Sequence, residues 1–314
     1  MSCLKELSYR EPRFQAYNYT GVIGVVLSEY KCLENWYFNN CIQWEISKNS
    51  STDNFAITAL IPGTQTDLIE EVHFSGKFVY NNVDSIVKDL IDNDYYVNFW
   101  GIDDYYIPQK RHYESKHIYH DGLIVGYDDN NNTYSWTSHN DSNHFSLFKT
   151  SQNCLSQAFN SHFIEHRNSF SGIRMKDGIA KVDLNYDLIL DSINKYVYPN
   201  TDNDKYYGVK IYKPLIHETL SNGIKYRYAD KRKMRLILEH KKCMLDRLQK
   251  LSQEISKFNN AFEDYLDIYD DAFSLQYLSV KYNITKKECY LNTMIELLKR
   301  LEHKERNVLS ELLV

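Results

Sequence analysis

The stretch "IYHDGLIVGYDDNNNTYSW", residues 118–136, decides how this chain is read. Small and apolar residues run from Gly122 to Tyr127, a cluster of Asp and Asn follows, and β-prone residues resume at Thr133. The pattern predicts two strands joined by a polar turn, the second over 133–138. A histidine, His120, opens the first strand. A side chain on a strand points to one face only, so the question is what His120 meets there. The hairpin carries the chain back until Ser138, His139, Asn140 and Asp141 are level with it. A carboxylate or amide in that set would orient the ring through its second nitrogen, leaving the first for proton transfer.

A base of this kind needs a nucleophile. Upstream, "YKCLENWYFNNCIQWEIS" places Leu33, Trp36, Tyr37, Ile42 and Trp44 at loosely helical spacing from Cys32. Cys32 therefore falls at or near a helix start, where the helix dipole and a nearby imidazolium favour thiolate. Cys41 is the competing thiol, but deeper in the helix the dipole helps less. Cys154, Cys243 and Cys289 read as helix-face or core residues.

The surrounding sequence predicts a mixed α+β chain. "VDSIVKDLI" is a helix over 84–92 with Asp84 as N-cap, followed by the strand "YYVNFWGI". "HFSLFKT" is a strand and "SQNCLSQAFNSHF" a helix, while "GIRMKDGIAKVDLN" reads as a hairpin about the turn KDG. "YDLILDSINKYV" is amphipathic, Asn200–Gly208 is the most loop-like stretch, and Pro214 opens a short helix. From about Asp230 glycine and proline disappear. Met234, Ile237, Leu245, Leu248, Leu251, Ile255, Phe258, Phe262 and Tyr265 predict one long amphipathic helix. "ITKKE" predicts a second, with Thr285 as N-cap and Glu288 completing a capping box. The expected division is a catalytic domain over 1–200, a linker with a short helix over 201–229, and a helical hairpin or bundle over 230–314. A dimer seam through the C-terminal helices is the sharper alternative to a bundle packed on the first domain.

Bulk properties narrow the class. The 314 residues carry a formal net charge of −5 and 43% apolar residues, with no long basic stripe, which argues against nucleic acid as a partner. Tyrosine is over-used, 27 residues against 11 glycines and 5 prolines. The run Gly21–Leu27 is too short to cross a bilayer, and no targeting segment is visible. Six scattered cysteines without a CxxC pair suit reduced thiols, so a cytoplasmic protein that does not engage membranes is expected. His112, His117, His120, His139 and His144 crowd one region, but no HExxH occurs and no cysteine lies close, so no metal is expected.

Cysteine on an early helix, histidine heading a later strand, and acid or amide on the next strand is the chain order of the papain-like fold. "FWGIDDYYIPQKRHYESKHIYHDGLIVGYDDNNNTYSW" resembles the signature of the butirosin-H-like family of papain-fold proteins. Its "D-x-Y-x-x-P" segment is matched by Asp103 or Asp104, Tyr105, Tyr106 and Pro108, ahead of His120 and Gly126–Asp129. "YKCLENWYFNN" is similar to the segment that carries the family's nucleophile. The resemblance covers most of residues 15–190 and implies a papain-like α+β fold, an N-terminal helix against an antiparallel sheet, with a helical C-terminal extension. It implies catalytic Cys32 and His120, and a cysteine acyltransferase of natural-product or nonribosomal peptide assembly. Such an enzyme takes an acyl group from the phosphopantetheine thioester of an acyl or peptidyl carrier protein and passes it to a small or carrier-bound amine, with no cofactor of its own. Two departures stand out: Val26 occupies the spacing of the usual oxyanion glutamine, and Ser138 the place of the usual aspartate. Asp141 is then the expected third residue, ahead of Asn140. The basic run Arg232, Lys233, Arg235, Lys241, Lys242 and Arg247 is the expected dock for an acidic carrier. A cysteine peptidase or thioesterase shares the first half-reaction, and a non-catalytic binding protein is the remaining alternative.

Overall fold

The computed structural model describes residues 4–28, 33–48, 55–59, 68–75, 82–140, 145–163, 169–179, 181–200 and 204–314. In chain order the strands are β1 (Leu4–Glu6), β2 (Trp44–Lys48), β3 (Phe55–Ala59), β4 (Ile69–Ser75), β5 (Tyr96–Asp103), β6 (Tyr119–Asp128), β7 (Thr133–His139), β8 (Phe145–Ser151), β9 (Ser169–Met175) and β10 (Lys205–Tyr207). The α-helices are α1 (Asn18–Ser28), α2 (Glu34–Asn40), α3 (Val83–Asp92), α4 (Gln152–Phe163), α5 (Tyr186–Val197), α6 (Tyr212–Tyr226), α7 (Lys231–Glu254), α8 (Asn259–Thr285) and α9 (Glu288–Glu311). The protein is mixed α+β and forms two compact units, residues 1–33 with 63–181 and residues 34–62 with 182–314. This differs from the contiguous division at 200 and 230: segments 34–62 and 182–200 belong with the C-terminal helices.

The first unit is built on an antiparallel sheet of seven strands in the order β4-β9-β5-β6-β7-β8, with β1 added alongside β6. The 118–136 stretch forms the hairpin β6–β7. Its turn is held by Asp128, whose carboxylate accepts from the backbone of Asn130 and Asn131 and from the Asn131 side chain, and Asn132 adopts a left-handed conformation. Those bonds hold the Asp128 carboxyl below its ordinary range, against the opposing effect of desolvation. β1 runs so close to β6 that a Cβ on Gly126 would stand 2.6 Å from the Lys5 carbonyl oxygen, so only glycine fits there. One sheet face carries α3 and α4 over a core of Val87, Phe99, Ile102, Ile124, Trp136, Phe159 and Phe170. The pairing of β6 with β5 and β7 puts Ile124 opposite Trp136 and His120 opposite Ile102. His120 therefore stands at the end of the face that bears α3 and α4.

Two local expectations change in this unit. The KDG turn makes no hairpin: β9 ends at Met175, and both its edges are already taken by β4 and β5. Asn82, not Asp84, precedes α3; the Asp84 carboxylate instead accepts from the Tyr134 hydroxyl and pairs with Lys88.

In the second unit the expected long helix is broken at Ile255, whose backbone is extended, so α7 and α8 are separate and α9 makes a third long helix. Thr285 closes α8 rather than capping α9, and Lys286 turns the chain in the left-handed region (φ 58°). The basic run on α7 is not an open surface. Lys233, Lys241 and Arg247 are buried and Lys233 pairs with Glu218. Arg232, Arg235 and Lys242 pair with Asp230, Glu239 and Asp246. Arg247 gives Nε to the Phe38 carbonyl (2.6 Å) and Nη2 to those of Tyr37 (3.2 Å) and Cys41 (2.9 Å), capping the end of α2. Lys241 is fully buried, bonded to Glu305 (2.6 Å), the Tyr196 hydroxyl (3.1 Å) and His240 Nδ1 (3.1 Å), with the Trp44 ring centroid 4.1 Å from its ammonium. Desolvation carries its pKa down to about 8, against the pull of Glu305. These cations sit where they do because their helix faces the core, and buried charges need partners. The expected carrier dock on α7 is thereby overturned.

Candidate functional site

β5 and β6 place the candidate base. β5 ends at Asp103, and a single 3₁₀ turn over Asp104–Tyr106 begins there, anchored by the Asp103 side chain accepting from the Tyr105 backbone (3.1 Å). The Asp104 N–H donates to the Ile118 carbonyl (2.8 Å), which ties this turn to the residues leading into β6. Consequently two consecutive aspartates meet two histidines. His120 Nδ1 lies 2.8 Å from Asp104 Oδ2, and His117 Nδ1 lies 2.7 Å from Asp103 Oδ2. A carboxylate acceptor at Nδ1 selects the Nδ1–H tautomer and leaves Nε2 as the basic nitrogen.

The two pairs are not equivalent. Asp103 is fully buried and also accepts from the Ser161 hydroxyl (2.9 Å), while the His117 ring stacks on Tyr105 at 4.3 Å. That pair ties α4 and the loop to the sheet. Asp104 is 4% exposed and its second oxygen, Oδ1, has no hydrogen-bond partner among the described residues, while the His120 side chain is 44% exposed. A buried carboxylate holding a half-exposed imidazole is the arrangement of an oriented general base. The neighbouring Asp121 carboxyl is pushed above its ordinary range by burial, with His120 and the Gly101 backbone drawing it part of the way back.

Cys32 and Asp141 lie outside the described residues. Cys32 stands between the end of α1 at Ser28 and the start of α2 at Glu34. Asn140 donates to Ser146 (3.0 Å). Ser138, at the position of the usual aspartate, accepts from Lys110 Nζ (2.8 Å) and donates to the Asp121 carbonyl (2.9 Å). Lys110 is buried, also donates to the His139 carbonyl (2.6 Å), and lies 5.2 Å from the Trp136 ring centroid. It pins the 107–118 loop to the end of β7. The first residue of α1, Asn18, meets His139: Oδ1 lies 2.5 Å from Nδ1, and His139 Nε2 is 2.8 Å from the Gln15 carbonyl. Both His139 nitrogens are thus engaged. Val26 is buried inside α1 and Cys41 is buried.

Sequence reasoning missed Asp104 as the partner of His120 because it followed the hairpin forward to β7 and not back to β5. The signal was present: Asp103-Asp104 closes the strand that pairs with the head of β6. Among the described residues no group of three His, Cys, Asp or Glu is placed to hold a metal ion, and no helix is long and apolar enough to cross a membrane. No protein-family profile matches the chain, and no curated protein matches it in sequence.

Proposed function

We propose that this chain is a papain-like cysteine acyltransferase that forms an amide, with His120 as general base, Asp104 as the residue that orients it, and Cys32 as nucleophile. One observation carries the reading: the 2.8 Å contact between His120 Nδ1 and a buried Asp104 at the accessible end of the sheet. The thiol, the carrier protein and the amine rest on the sequence resemblance. In the first half-reaction the Cys32 thiolate attacks a carrier-protein thioester, an acyl–sulfur bond forms to the enzyme, and the carrier thiolate leaves and takes a proton. The exchange of one thioester for another is nearly isoenergetic. In the second, an amine attacks the acyl-Cys32 carbonyl, His120 Nε2 removes a proton from the amine, and the cysteine thiolate departs. Asp104 stabilises the imidazolium formed on the way.

The test is intact-mass measurement after mixing with acyl-loaded carrier proteins, then with amines. A mass gain that maps to Cys32, is absent in Cys32→Ala, persists in Cys41→Ala, and is discharged as amide supports the reading. Discharge as free acid with every amine would make the chain a thioesterase or peptidase. No mass gain with any loaded carrier would favour a non-catalytic role.

A further inference from the structure

The face of α8 that points away from its bundle is apolar. Ala261, Tyr265, Ile268, Ala272, Leu275, Ser279 and Tyr282 make the buried side. On the other side Leu266, Phe273, Tyr277 and Ile284 are 39%, 56%, 56% and 76% exposed. At about 100° per residue these four fall within roughly 20° of a single line along the helix. Isolated exposed apolar residues need no explanation, but a straight stripe running most of the length of a helix does.

The stripe is symmetric about its own centre. Leu266 and Ile284 are equidistant from Leu275, and so are Phe273 and Tyr277. An identical helix laid antiparallel across a twofold axis at that point would set Leu266 against Ile284 and Phe273 against Tyr277, twice each. The charges beside the stripe obey the same symmetry. Asp270 and Lys281 both lie on one flank, roughly 40° and 60° from the line, so an antiparallel partner brings each Asp270 to the other chain's Lys281. Glu263 marks the acidic end, and Lys286 with Lys287 follows the basic end. A parallel partner would instead oppose like charges. We infer that α8 is a homodimer interface in which two copies of this chain pair antiparallel through Leu266, Phe273, Tyr277 and Ile284. A single helix pair buries less than a standard interface, so the dimer is a weak one.

Sedimentation equilibrium of the full chain tests this. Dimer is expected to accumulate as the concentration rises to about 100 µM, a range suited to small interfaces. Phe273→Asp with Tyr277→Asp should weaken it on the order of 100-fold, since apolar contacts are replaced by buried like charges. Both positions are exposed, so the melting temperature should hold. Asp270→Lys alone and Lys281→Glu alone should each weaken self-association, and an equimolar mixture of the two variants should restore it to the native level. A chain that stays monomeric throughout overturns the proposal and leaves the face for a different partner. So does a dimer indifferent to the Asp substitutions. A mixture that associates more tightly than the native chain, with single variants no weaker than native, would mean parallel pairing and refute the antiparallel geometry.

Discussion

Replacing Lys241 by methionine should turn a nearly pH-indifferent core into a strongly pH-dependent one. Glu305 is fully buried and accepts from Lys241, from the hydroxyls of Tyr196 (2.9 Å) and Tyr212 (3.1 Å), and from the Tyr265 hydroxyl. Methionine keeps the volume and apolar stem of lysine but removes the cation. The remaining carboxylate is then buried without a counter-charge and takes up a proton on folding. Its ordinary pKa is about 4.3, so holding it neutral at pH 7 costs roughly 1.36 × 2.7, or about 3.7 kcal/mol, relative to an unfolded chain in which it ionises freely. That agrees with the ~3–5 kcal/mol usual for breaking a buried pair. The sign follows: a carboxyl whose folded pKa is raised loses stability as pH rises above the unfolded value. Lys241→Met should therefore regain about 1.4 kcal/mol per pH unit on acidification from pH 7 towards pH 5, relative to the native chain. The double variant Lys241→Met, Glu305→Gln removes both charges while keeping an acceptor for the tyrosines, and should recover most of the loss with no special pH slope. Urea denaturation of the three proteins at several pH values measures this. A single variant as stable as the native chain at pH 7, or one that weakens relative to it on acidification, would refute the reasoning.

Asp104→Asn should cut kcat for acyl transfer about 1,000-fold with the fold unchanged, because an amide does not hold the Nδ1–H tautomer; the ¹⁵N shifts of His120 should report the altered tautomer, and unchanged shifts and rate would remove Asp104 from the machinery. Asp121→Asn should raise the melting temperature at neutral pH. Its carboxyl is pushed up by burial, so the native side chain costs stability as pH rises through its folded pKa, and the benefit of the substitution should vanish below the ordinary carboxylate range. Arg247→Lys should destabilise the chain by about 2–4 kcal/mol despite keeping the charge, since an ammonium cannot span the three carbonyls of Tyr37, Phe38 and Cys41; a melting curve like the native one would contradict that role.

Local pattern was enough for the hairpin at 118–136, because alternation, Asp128 and the Asn run act within a few residues of one another. It was enough for the α+β class and for a helical C-terminal part, since amphipathic spacing is a property of one segment. The position of the break at Ile255 was hidden, because apolar spacing continues through it while the backbone does not. The basic run on α7 was misread for a related reason: sequence records that Lys241 and Arg247 are charged, but not that Glu305 and the end of α2 come to meet them. Cys32 was legible only as a residue type ahead of a helix. The partner of His120 depended on which strand neighbours β6 at its head, and that is β5, brought alongside by an antiparallel register across a loop of fifteen residues, 104–118. Residue types and short-range spacing thus determined the candidate base and the elements of the fold. Only tertiary structure decided the base's acid, the fate of the buried charges and the open face of α8, because each depends on segments far apart in the chain whose meeting no local pattern encodes.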